Sequence, residues 1–416
     1  MRFFATTVLV VLAAALGCGR PQETSGPSRR PDSAKPFGWR RDGTGQFPDV
    51  DAPIRWSSDE KRGILWQTEV GAGLSSPVVA GDRVFLTAEP DRLICVDRRQ
   101  GTVLWTKDNG FASLPPELKV KKELHPSASG FATPTPLTDG KFIYAGYGTG
   151  IVVCYDFDGR RRWVRYFDLP VVTEYGRTAS PVLAGDKLLV SISRLIALDP
   201  ATGRTIWDAE EAGTTYGTPV VAKAGDVDVV VTPIGHCVRV GDGKILAEGI
   251  GFALYNSPIV RNDVVFFIST TASAVRLSKQ ADGTIKTEPL WETELIGEFF
   301  SSPVWHDDIV YVVGNEGVLF ALDAKTGKVV WQKEIPIPSQ GGMGPGEPAN
   351  IYASLVIAGT HLYVANDAGN VLVVTPGKEY VEVARNALDE GSGASPVFDG
   401  NQLFLRGGEK LFGIGK

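Results

Sequence analysis

The residue types that could do chemistry in this 416-residue chain are few and scattered. It has four cysteines and four histidines. Thiolates at C-x-x-C spacing would hold zinc or cycle a disulfide, and H-E-x-x-H would set two imidazoles and a base on one helix face. Neither spacing occurs: Cys18, Cys95, Cys154 and Cys237 stand far apart, as do His125, His236, His306 and His361. No G-x-S-x-G elbow and no P-loop is present either. From the residues alone there is no catalytic, cofactor-binding or metal site to assign, and the reading leans away from an enzyme.

Cys18 is different. Arg2 is followed by the apolar run "FFATTVLVVLAAAL", residues 3–16, and then by Gly17-Cys18-Gly19. A positive residue, a short apolar core and small residues make a secretory signal, and the run is too short for a comfortable membrane span. "ALGC" resembles the lipobox of bacterial lipoproteins, with Leu16 where a smaller residue is usual. That implies a signal peptide over 1–18 with Cys18 lipidated. Residues 19–36, "GRPQETSGPSRRPDSAKP", read as a flexible polar tether. The expected location is the cell envelope: exported and lipid-anchored. A net charge of −6 argues against a nucleic-acid partner.

The rest of the chain is a repeat. A short apolar run led by Pro recurs as "SSPVVAG", "PTPLTDG", "ASPVLAG", "GTPVVAK", "NSPIVRN", "SSPVWHD", "ASLVIAG" and "ASPVFDG". The anchors are Pro77, Pro136, Pro181, Pro219, Pro258, Pro303, Leu355 and Pro396. Each copy adds a second apolar run, a third such as "LICVD" or "LFALD", a turn such as "PATG", and a fourth that commonly ends in Trp. A period of roughly 40–45 residues with four short strands is the mark of a propeller blade. Trp66, Trp105, Trp163, Trp207, Trp291 and Trp331 each close a fourth strand and are assigned as structural, blade-docking residues. Ala247 stands where a further one is due, and copy seven has "EYVEVA" instead. Cys95, Cys154 and Cys237 hold the register that Ala197 and Ala321 hold elsewhere, which reads as a small buried residue. The last copy lacks a fourth strand, and residues 63–70, "GILWQTEV", can supply it from the other end. The expected fold is all-β: one eight-bladed propeller of four-stranded antiparallel blades over 37–416, closed by an N-terminal strand.

Copies three and six share Ala-x-Asp-x-x-Thr-Gly-x-x-x-Trp, from Ala197 to Trp207 and from Ala321 to Trp331. This resembles the tryptophan-docking motif of pyrroloquinoline-quinone-like repeat propellers, the quinoprotein dehydrogenase-like superfamily. "GWRRDGTGQFP…RWSSDEKRGILWQTEV" ahead of "SSPVV" is similar to secreted bacterial proteins of this kind. Dehydrogenases of the superfamily hold the quinone over a Trp, with Ca²⁺ on oxygen ligands and an Asp as base, and no residues here are assigned to those roles. The architecture also resembles the BamB-like outer-membrane assembly lipoproteins. That implies a non-enzymatic binding or scaffold propeller without a cofactor, taking an envelope protein partner through loops on one face. The alternatives are an oxidoreductase using pyrroloquinoline quinone with calcium, and a secreted carbohydrate- or peptide-binding propeller. Two long connections, residues 107–131 and 333–354, join an outer strand to the next inner one and are expected on the same face.

Overall fold

The computed structural model describes residues 37–118, 120, 127–168, 175–214, 216–335, 337–338 and 350–416. Cys18, the 19–36 tether, His125 and parts of both long connections lie outside the described residues. Eight antiparallel sheets follow one another round a closed ring. Blade 1 comprises Val78–Ala80, Arg83–Ala88, Arg92–Asp97 and Val103–Asp108, from the channel outward. The inner strands of blades 2 to 7 are Leu137–Thr138, Val182–Ala184, Val220–Ala224, Ile259–Arg261, Val304–His306 and Val356–Ala358. Blade 8 comprises Val397–Asp399, Gln402–Gly407 and Lys410–Gly415, and its outer strand is Ile64–Glu69 from the far end of the chain. The N-terminal strand thus closes the ring. No α-helix occurs among the described residues, only three single 3-10 turns.

Each sheet is buried on both faces, so its middle strands are mostly apolar, as in "VVFF" and "IVYVV". Every outer strand carries a β-bulge at the same register. The extra residue turns one side chain out of the sheet and toward the next blade. In six blades that side chain is Trp. Opposite it on the third strand stands a small residue: Gly413 for Trp66, Cys95 for Trp105, Cys154 for Trp163, Ala197 for Trp207, Ala274 for Trp291 and Ala321 for Trp331. The three cysteines are free and buried. Burial pushes the thiols of Cys95 and Cys237 up to about 12 and raises that of Cys154 as well.

Each of these indoles donates from Nε1 to a carbonyl in the turn of the following blade. The acceptors are Arg98 for Trp66, Phe157 for Trp105, Pro200 for Trp163, Val240 for Trp207, Ala324 for Trp291 and Gly377 for Trp331, at 2.8–3.0 Å. The ring lies on the turn itself. Gly203 has φ +71°, and a Cβ there would come within 2.7 Å of the Trp163 ring. A side chain is therefore excluded twice, by backbone conformation and by contact.

Blade 7 has Ala384 at the bulge, opposite Val373. Its cleft against blade 8 is filled by Trp56, which comes from ahead of the first repeat. Trp56 is 1% exposed and packs with Ala384, Leu403, Phe412 and Ile414. Its backbone N–H donates to Asn386 Oδ1 at 2.8 Å, and Asn386 Nδ2 donates to the Ile54 carbonyl at 2.9 Å. The seam between blades 8 and 1 is further tied by Arg406, whose guanidinium donates to the carbonyls of Thr87 and Gly71.

Candidate functional site

The residue before every anchor is Ser or Thr, and the structure shows why. The backbone N–H of Ser76 donates to Thr135 Oγ1, that of Thr135 to Ser180 Oγ, and that of Ser180 to Thr218 Oγ1. The sequence continues through Ser257, Ser302, Ser354 and Ser395, and Ser395 N–H donates back to Ser76 Oγ. These eight bonds, at 2.8–3.2 Å, form a closed cycle around the head of the central channel. The Pro that follows has no N–H, so the channel-facing edge of each inner strand begins with one donor fewer to satisfy. In blade 7 Leu355 replaces Pro, and its extra N–H donates to the Ser302 carbonyl at 3.3 Å.

The channel beneath this ring is stopped by residues 37–47. Phe37 bridges Thr138, at the far end of the blade 2 inner strand. The chain then rises to Trp39 and Arg40, turns, and descends as Gln46–Phe47, which add a parallel strand to the inner edge of blade 7. At the tip Arg40 is wholly buried, and its Nη2 donates to the carbonyls of Pro303 and Leu355 at 2.6 and 2.7 Å. Burial lowers that guanidinium to about 9, so it stays charged at neutral pH. Gly45, at φ +73°, faces it so closely that a Cβ would meet Nη2 at 2.2 Å. This inserted finger turns a tunnel into a blind funnel.

The funnel is a cavity of about 320 Å³ whose lining draws on all eight blades. Its floor is the hydroxyl ring with Trp39; its wall is uneven. Three residues ahead of the anchor, blades 4 to 7 carry Tyr216, Tyr255, Phe300 and Tyr352, whereas blades 8, 1, 2 and 3 carry Gly393, Leu74, Thr133 and Thr178. The four aromatic side chains form a continuous crescent, with ring centroids 5.5, 4.7 and 5.3 Å apart, and Tyr175 packs on it from blade 3. Just outside, Phe252, Leu254 and Ile296 are exposed, Ile296 by 91%. Glu298 and Asn315 also line the cavity. Burial, then the carboxylates of Asp367 and Glu298, push the Tyr352 hydroxyl up.

The six docking tryptophans lie away from this site, in the clefts between blades. His236, His306 and His361 sit in blades 4, 6 and 7 and do not meet. Among the described residues no three His, Cys, Asp or Glu side chains form a group that could hold a metal ion. Pyrroloquinoline quinone carries three carboxylates and calls for cationic partners and a cluster of oxygen ligands for Ca²⁺. The described funnel lining holds no Arg, Lys or His and a single carboxylate, Glu298, so these residues do not fit that group.

The fold and funnel define an eight-bladed propeller of the pyrroloquinoline-quinone-like class. A family model described as outer membrane protein assembly factor BamB matches residues 51–288 and 286–412, and the chain belongs to that family. Against BamB of Shewanella oneidensis it is 22% identical over 340 residues, 76% of this chain and 75% of that protein. Against BamB of Salmonella typhimurium it is 29% identical over 97 residues, which span 22% of this chain and only 24% of that protein. Among solved structures, BamB from Moraxella catarrhalis aligns with a TM-score of 0.56 at 14% identity, covering 84% of this chain and 98% of that one. A europium-containing methanol dehydrogenase aligns with a TM-score of 0.57 at 14% identity, covering 83% and 85%. At that identity the likeness is one of fold.

Proposed function

We propose that this protein is a non-enzymatic binding propeller of the bacterial cell envelope that engages a protein partner through the funnel face. The aromatic crescent with its exposed apolar rim carries this reading. Four consecutive blades present aromatic side chains at one register, and Phe252, Leu254, Ile296 and Tyr352 stand open to solvent beside them. Concentrated exposed apolar surface of this kind marks an interaction site. Relatives named as assembly factors of the outer membrane favour an envelope partner.

Attachment through a lipid on Cys18, a signal over 1–18 and a tether over 19–36 belong to the same proposal, with 37–416 as one propeller. Two acyl chains at one Cys would hold the protein stably, where a single chain would not. The described chain begins at Phe37, at the end of the channel opposite the hydroxyl ring. Mass spectrometry of the mature N-terminus tests the anchor: acylated glyceryl-Cys18 is expected, and a chain starting beyond residue 18 would refute it.

The partner is tested with a photo-crosslinking amino acid at Ile296, in cells, and with the same group at Val103 on an outer strand. Crosslinks to one identified envelope protein from position 296 only are expected. Equal products from both positions, or none, would overturn the reading. Turnover of an alcohol with added pyrroloquinoline quinone and Ca²⁺ would establish an oxidoreductase instead.

A further inference from the structure

We propose that the funnel is a saccharide site, shaped for one or two neutral pyranose rings. A sugar needs hydrogen-bond partners of both senses and a flat apolar surface for its ring, and the cavity offers all three. The donors are on the floor. Each of the eight ring hydroxyls accepts one backbone N–H, and none donates its own proton to another described residue. The acceptors are on one wall. Asn315 is only 8% exposed and lines the cavity, yet its Oδ1 accepts nothing from the described residues. An unmet buried acceptor favours a ligand that brings a donor. The Glu298 carboxylate lies on the same side.

The platform is the crescent. Tyr352 is 45% exposed and stands 5.3 Å from Phe300, centroid to centroid. Tyr175 packs edge-on against Tyr216, Tyr255 and Phe300, at 6.0, 5.8 and 6.3 Å, which leaves Tyr352, beside the small Gly393 of blade 8, as the face for a sugar ring. The volume of about 320 Å³ is at the small end of the range for ligand cavities. The charge pattern narrows the ligand class. With one carboxylate and no cation in the described lining, an acidic ligand is repelled. Each floor hydroxyl keeps a proton and a free lone pair, so it can both donate to and accept from a sugar hydroxyl. A neutral polyol satisfies both walls. Trp39 and the finger below close the channel, so a ligand enters and leaves by one mouth.

This inference goes beyond a protein partner and stands without one. The test is saturation-transfer NMR and calorimetric titration of the full mature protein with cellobiose, maltose and diacetylchitobiose. At least one should give saturation transfer from its ring protons, with affinity unchanged within about twofold between 50 and 500 mM NaCl because no charge pairing is involved. Tyr352→Ala and Asn315→Ala should each weaken it about tenfold, the scale of one lost stacking or hydrogen-bonding contact. Tyr352 is a rim side chain, so its removal leaves the fold intact, and the melting temperature checks this. Outer-strand Leu65→Ala should change nothing. The proposal falls if none of the three sugars transfers saturation. It falls too if binding survives both variants, which would place the sugar elsewhere, or if a blocked arginine peptide binds and the sugars do not.

Discussion

Two concentric rings hold this propeller together, and they differ in how much they tolerate. The inner one is the cycle of hydroxyls, and it is complete: Ser or Thr stands in all eight blades, including blade 7, where the neighbouring Pro has been lost. The outer one is the ring of docked indoles, and it has two substitutions. Blade 4 has Ala247, surrounded by Ile250, Val265, Val275 and Leu277, and blade 7 borrows Trp56 from outside the repeat. The difference follows from the physics of each contact. A hydrophobic cleft is satisfied by any apolar mass of about the right shape, whichever segment supplies it. A buried backbone N–H needs an acceptor at one point in space, and each ring member serves its neighbour, so a missing hydroxyl strands a donor.

The largest expected effect is on the outer ring. Trp56→Ala and Trp66→Ala should each cost about 3–5 kcal/mol, since each empties a buried cleft beside blade 8. Chemical denaturation beside Leu65→Ala, which removes a half-exposed side chain from the same strand, measures the difference. If Trp56→Ala costs no more than Leu65→Ala, then Trp56 does not stand in for a blade tryptophan and the outer ring has a true gap.

The inner ring should respond to chemistry rather than size. Ser257→Ala strands the Thr218 N–H and should cost about 1–3 kcal/mol. Ser257→Thr keeps the acceptor, as Thr135 and Thr218 do in their own blades, and should fall within about 0.5 kcal/mol of the parent. Equal losses for the two variants would show that volume matters there, and that the rings do not differ in kind. Gly203→Ala probes the ledge under Trp163. A non-glycine residue in the left-handed region costs about 1–2 kcal/mol before any clash with the indole. A melting curve that does not move would mean that the turn yields and the ledge is soft.

The eight blades were legible in the sequence because every element of a blade recurs, and recurrence can be checked against itself. The closing strand was legible for the same reason, since a blade short of one strand asks for it. Residues 37–62 were not. A finger that stops the channel and a tryptophan that fills a foreign cleft each occur once, so no period exposes them. Pattern alone put Trp39 outside the repeat, and only the folded chain places it under the funnel. The hydroxyl before each anchor and the aromatic residue three places ahead of it, in four successive copies, were both visible. Their meaning was hidden because Ser before Pro is ordinary turn chemistry. Only closure of the ring brings eight blades to one point and turns a local habit into a floor and a wall. Cys18 and the tether belong to the leading segment outside the described residues, and nothing in the fold speaks for or against them.

The smallest expected effect separates the two rings by reactivity. Cys95, Cys154 and Cys237 occupy the register opposite the outer-strand bulge, facing Trp105, Trp163 and Ala247. Burial disfavours the thiolate, which is the reactive form, and access is blocked besides. At pH 8 the folded protein should therefore react with an aromatic disulfide reagent only as fast as it opens, and in denaturant the three thiols should react at once. Cys237 is the discriminating one. Its partner is the substituted position, where Ala247 covers less than an indole would. If the rings are as tolerant as the packing implies, Cys237 stays as protected as Cys95, because Ile250 and the long hairpin of blade 5, Thr271–Lys279 and Ile285–Glu294, close over it. A thiol at 237 that reacts in the folded state, ahead of the other two, would mark blade 4 as the weak point of the outer ring. It would also show that the apolar mass gathered there does not replace the missing tryptophan.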